Sequence, residues 1–117
     1  MSLALIGDCK EAQEVAREIY GDVITIEDAQ CLTDMLTKHM GWPRVKVSQG
    51  RQAMNQHGSI SKVTSSAPHM TLNKPSVGVV IHELAHMAHR DTGTRTSLHN
   101  HTFKSAQRYM LRVWLGK

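Results

Sequence analysis

Residues 77–103 read VGVVIHELAHMAHRDTGTRTSLHNHTF and hold five of the chain's eight histidines. Within the stretch, Val77, Val79, Val80, Ile81, Leu84, Ala85 and Ala88 are apolar over most of a helical circumference, so the spacing predicts a central, buried helix. Asn73-Lys74-Pro75-Ser76 in front supplies a capping residue and an early proline. Behind it, Asp91-Thr92-Gly93-Thr94 is turn chemistry, which ends the helix between Arg90 and Gly93.

Two histidines and a glutamate inside such a helix are costly unless they bind something. His82 and His86 are four apart, so on a helix they stack on one face and aim two ring nitrogens at a single ion, into which zinc fits. Glu83 lies next to His82 around the helix, where its carboxylate reaches a water on the metal without being a ligand and acts as general base, then proton donor. With eight histidines in 117 residues, chance alone gives this pattern in about two such chains in a hundred.

A catalytic zinc takes a third protein ligand and keeps one position open. His89 shares the face of His82 and His86, but it sits about 10 Å along the axis from His82, too far to share their ion, and is expected in a supporting or solvated role. His99 and His101 lie beyond the turn and escape that constraint, and spacing alone does not separate them. From one of them onward, Phe103, Ala106, Tyr109, Met110, Val113 and Trp114 make a final amphipathic helix, so a ligand at that junction clamps two helices through the metal. His39, His57 and His69 have no such spacing and read as ordinary surface or core residues.

Working outward, Ala12, Val15, Ala16 and Ile19 recur at helical spacing between Lys10 and Tyr20, before Gly21. A second helix follows Ile26-Glu27-Asp28, with Cys31, Leu32, Met35, Leu36 and Met40 on one face and Gly41 and Pro43 at its end. Arg44 to Ser48 alternates as a half-buried strand, and Gly50 to Gly58 reads as a polar connection. Ser59 to Ser65 and Pro68 to Leu72 are two further short strands, whose proline and hydroxyls suggest an edge strand more than a central one.

The length fits one domain over residues 1–117, and 40% hydrophobic with 21% charged residues is an ordinary globular balance, far from disorder. The net charge of +4 is small and scattered, with local basicity only from Lys104 to Lys117, so a nucleic-acid partner is permitted and only weakly supported. Cys9 and Cys31 show no CxxC spacing and read as reduced thiols. MSLALIGDCKEAQ has no cationic region or cleavage site, and no apolar run approaches the roughly 18 residues of a span, so a cytoplasmic protein without membrane contact is expected.

At HELAH followed by HNHTF the chain resembles the zincin metallopeptidases, and among them the SprT-like and Spartan proteases. That pattern is HExxH, a variable turn, then a histidine four residues before an aromatic that starts the next helix. Phe103 matches the aromatic, so the resemblance selects His99 as third ligand, with His101 as the alternative, and Asn100 replaces the usual glycine. The resemblance covers roughly Met70 to Leu111. It implies an α+β minimal zincin core: N-terminal helices, a small three-stranded and mostly antiparallel sheet, the HExxH helix in the centre, and a C-terminal helix. It also implies a substrate-binding edge strand, here Ser59 to Ser66 with Ser59, Ile60, Val63 and Ser65, that takes up an extended protein or peptide.

The expected function is therefore that of a zinc-dependent endopeptidase, with His82, His86 and His99 holding zinc and Glu83 activating water. His101, Arg108 and Tyr109 are candidates for oxyanion stabilisation, and His89 for a supporting contact. The competing expectation is a non-catalytic module in which zinc pins the C-terminal helix, with nucleic acid as a further, weaker partner.

Overall fold

The computed structural model describes residues 23–51, 57–93 and 99–116. The helix expected from Lys10 to Tyr20 lies outside them, as do Cys9 and part of each connection before Gly58 and His99. The order is helix α1 (Ile26–Met40), strands β1 (Lys46–Gln49), β2 (Gly58–Ser61) and β3 (His69–Leu72), then helix α2 (Val77–Ala85), a 3-10 turn (His86–Ala88), helix α3 (His89–Thr92) and helix α4 (His101–Leu115). The architecture is α+β.

Helix α1 begins where the Thr25 hydroxyl accepts the Asp28 amide at 3.0 Å, with Glu27 and Asp28 complementing the dipole of the first turn. It ends at Gly41, whose φ of 71° is the left-handed conformation that glycine adopts without a Cβ penalty. Its buried face is Ala29, Leu32, Thr33, Leu36 and Thr37. Cys31 and Met35, expected on that face, are exposed. The buried face takes in Thr33 and Thr37 instead, and the Thr37 hydroxyl donates back to the Thr33 carbonyl at 3.0 Å and is satisfied inside the core.

The sheet is mixed, in the order β1-β3-β2. Strands β2 and β3 are antiparallel, with Ile60 opposite Met70, whereas β1 and β3 are parallel, with Val47 opposite Met70. The expectation of a mostly antiparallel sheet is thus corrected for one of the two pairings. After β1 the chain crosses to the far edge, and the β2–β3 hairpin then returns β3 to the middle, running in the direction of β1. Strand β2 also stops at Ser61, earlier than expected. Lys62 turns the chain with φ 55°, Val63 is 2% exposed within the core, and Ser65 lies in the following bend. One Nη1 of Arg90 donates to the carbonyls of both Val63 and Ser65 at 2.9 Å, so this turn is stapled to α3.

The two sheet edges differ. Along β1, the Gln30 side chain accepts the Val47 amide at 2.8 Å and donates to the Val45 carbonyl at 2.9 Å, occupying the place of a neighbouring strand. Strand β2 has no strand beyond it among the described residues. Gly58 opens β2 where a Cβ would stand 3.0 Å from Leu72 Cδ2 and 3.1 Å from Val79 Cγ1, so its lack of a side chain lets β2 close on β3 and α2.

One face of the sheet, through Val47, Met70 and Leu72, packs with Leu36, Ile81, Leu84, Met87, Phe103 and Met110 in a continuous core. Burying each such large side chain contributes about 1.5–3 kcal/mol, which makes α2 the element the others gather around. The other face presents Lys46, Ser48, Thr71 and His69, whose Nε2 lies 2.9 Å from Ser48 Oγ. No helix among the described residues is long and apolar enough to cross a membrane.

Candidate metal centre

Helix α2 starts at Ser76, whose hydroxyl accepts the Val79 amide at 3.2 Å, and it buries Val80, Ile81 and Leu84. That burial carries His82 and His86 inward, to 5% and 7% exposure. The expected single helix to Arg90 or beyond is interrupted, because its winding tightens to 3-10 over His86–Ala88. In a 3-10 turn, side chains three apart eclipse, which sets His89 over His86 with ring centroids 5.5 Å apart. His89 is fully buried and stacks on Phe103 at 6.4 Å and 10°, so a solvated role is excluded.

The third histidine comes from the other side of the turn. Asn100 caps α4 by accepting the Phe103 amide at 3.1 Å, which fixes the first helical turn and leaves His99 immediately outside it. One ring nitrogen from each of His82, His86 and His99 then lies within 4.8 Å of the others, close enough to hold a metal ion. Nε2 of His86 and Nε2 of His99 are 3.2 Å apart. His101, in the first turn of α4, is exposed, and its Nε2 points to Ser105 Oγ at 3.5 Å, outside the converging set.

Phe103, the chain's only phenylalanine, is completely buried beneath this cluster. Its ring centroid is 5.2, 4.6 and 4.7 Å from those of His82, His86 and His99. It forms an apolar floor that limits where the three imidazoles can turn.

Two ionisable groups respond to this setting. Burial pushes the Glu83 carboxyl up from 4.5 to about 7, since the charged form loses its hydration. Burial also lowers the pKa of His99, helped by the nearby charges of His89 and Lys104. The neutral imidazole, the form that donates a lone pair to a metal, is thereby favoured. Glu83 is not among the converging donors and is placed one residue around the helix from His82.

The remaining sequence candidates are spread out. Ser59 and Ile60 lie on the β2 edge, while Val63 and Ser65 belong to the turn held by Arg90. Arg108 is partly buried and Tyr109 half-exposed, five and six residues after Phe103, so neither shares the helix face that Phe103 turns toward the histidines. Sequence reasoning missed the Phe103 floor, for which the only hint was its singularity, and the Asn100 cap, which was legible as an Asn before a helix. No protein family, curated protein or solved structure matches the chain.

Proposed function

We propose that this protein is a zinc-dependent endopeptidase of the zincin type, SprT-like in the layout of its site. The observation that carries the reading is the convergence of His82, His86 and His99, with the partly buried Glu83 next to His82 on the helix. The donor set fits the ion. Zn–N bonds of about 2.0–2.1 Å in a tetrahedron hold nitrogens about 3.4 Å apart; His86 and His99 stand at 3.2 Å, and all three nitrogens lie within 4.8 Å of one another. Three neutral nitrogen donors with no thiolate match a catalytic rather than a sealed structural site.

Zinc held by three imidazoles supplies Lewis acidity, drawing electron density from a scissile carbonyl and making water more acidic. Glu83 accepts the proton of the water that attacks the carbonyl carbon and then gives it to the departing amine, so the C–N bond breaks and the carboxyl regains its starting state. A carboxyl with a pKa near 7 suits both transfers at neutral pH. The lowered pKa of His99 favours its neutral, ligating ring, and Phe103, packed against His86 and His89, holds the imidazoles in place. The β2 edge, unlike the β1 edge covered by Gln30, offers main-chain groups to an extended polypeptide.

Zinc content and turnover of an unfolded protein substrate test this together. Wild type should bind one zinc per chain and cleave. Glu83→Gln should keep the zinc and lose at least about a hundredfold in turnover. A folded protein that takes up no zinc would refute the reading, as would a Glu83→Gln enzyme that still cleaves; zinc binding without turnover in wild type leaves a zinc-pinned binding module.

A further inference from the structure

Strand β2 is pinned beside the metal-bearing helical segment at both ends. Gly58, where β2 begins, lies so close to α2 that a Cβ there would stand 3.1 Å from Val79 Cγ1. Past the far end of β2, Nη1 of Arg90 on α3 donates to the carbonyls of Val63 and Ser65, each at 2.9 Å. Strand and helix therefore run side by side in the same direction. Between the two anchors lie residues 59–62 on the strand side and His82, Glu83 and His86 on the helix side.

The turn after β2 does not reach the helix through its own bonds. The Ser65 amide and hydroxyl donate to the Lys62 carbonyl at 3.0 and 2.7 Å, which closes the turn on itself. Lys62 stands at φ 55°, the only positive φ outside glycine among the described residues, and a Cβ disfavours that conformation unless surrounding contacts impose it. Arg90 supplies such contacts from 27 and 25 residues away, with a charged donor that makes them stronger than neutral bonds. Its chain neighbour His89 is fully buried and packs on His86 and Phe103. The backbone of Arg90 thus belongs to the packing around the metal centre, and its side chain grips the end of β2.

We propose that Arg90 is a positioning residue, which fixes the β2 edge at a set distance from the metal centre so that a polypeptide lying on that edge presents a carbonyl to the metal. The inference rests on the proteolytic reading, because it takes β2 to be the strand on which substrate lies. Asp91 provides the contrast within the same short helix. It accepts the Trp42 indole N–H at 3.2 Å and so ties α3 to the segment between α1 and β1 instead of to β2.

The test measures kcat and KM of the zinc-loaded, full-length protein on labelled casein, an unfolded protein. Arg90→Ala should lower kcat about tenfold and leave KM within about twofold, with one zinc per chain retained, since misplacing a bound substrate slows the step after binding. Arg90→Lys should restore most of kcat, because both bonds leave a single nitrogen and an ammonium carries enough donors to replace it. Trp42→Phe loosens α3 on its other side and should keep kcat within about twofold of wild type. Should Arg90→Ala not fold, Arg90→Gln, which keeps an N–H donor on a shorter stem, should show the same loss in smaller degree.

An unchanged kcat in the Arg90 variants would overturn the proposal. So would a loss confined to KM, or a loss in Trp42→Phe as large as that in Arg90→Ala, which would reduce Arg90 to general support of α3. A second readout needs no cleavage. In cobalt-loaded Glu83→Gln protein, added casein should shift the visible absorption of the metal, and Arg90→Ala in that background should bind casein by anisotropy without the shift. Absence of cleavage by wild type sinks the protease and leaves this shift to decide on Arg90; a shift that persists in the double variant, or is missing with Arg90 present, sinks the positioning role.

Discussion

At the residue scale the centre depends on which histidine completes the donor set. His99→Ala removes a nitrogen within 4.8 Å of the other two and should weaken zinc binding by more than the roughly 10–100-fold typical of losing an outer supporting partner. His101→Ala removes an exposed ring that faces Ser105 and should leave zinc affinity unchanged within error. Zinc titration against a competing chelator reads both variants. Glu83 makes a second prediction, for the metal-free protein. Its folded pKa of about 7 lies above the usual 4.5, so between those values the folded chain holds a proton that the unfolded chain has released. Stability therefore falls as pH rises from 4.5 to 7, by at most about 3 kcal/mol, and stays at the lower level above 7. His99, with its lowered pKa, acts in the opposite direction below its usual range. The difference in denaturation free energy between wild type and Glu83→Gln across that pH window isolates the carboxyl; a constant difference would mean that Glu83 is not desolvated.

At the element scale, capping decides how the third histidine is presented. Asn100→Ala removes the acceptor of the Phe103 amide and should cost about 1 kcal/mol of stability. Since the cap also fixes where His99 leaves the helix, zinc affinity should fall in the same variant, whereas Asn100→Asp, which retains the acceptor, should restore both. Chemical denaturation with and without zinc checks the pair. Much at this scale was legible from residue pattern. The 3.6-residue apolar period marked α2, and the Gly41 stop and Asn100 start follow from backbone preferences that act within a few residues. What was not legible is tertiary in origin. Nothing local distinguishes Cys31 and Met35 from Leu32 and Leu36, and their exposure is set by what α1 packs against. The 3-10 winding at His86–Ala88 and the burial of His89 are likewise invisible to a pattern that assumes uniform helix. His82 and His86 were found because their spacing carries its own geometry, while His99 needed a resemblance to be preferred over His101.

At the scale of the whole molecule, strand direction escaped the sequence because β1 and β3 pair across 23 residues, with β2 intervening at the far edge. Gln30 has a consequence here that concerns the order of assembly. Its side chain reaches Val45 and Val47 over separations of 15 and 17 residues, short loops whose closure costs less entropy than the parallel pairing of β1 with β3. Helix α1 and the segment that becomes β1 can thus meet as a local unit before β3 exists to receive it, with the amide of Gln30 holding the strand extended in the meantime. Gln30→Ala should then slow refolding by nearly the full factor by which it lowers stability and leave the unfolding rate almost unchanged, as stopped-flow denaturant-jump kinetics would show. A variant that instead accelerates unfolding would place this clasp among the last contacts to form.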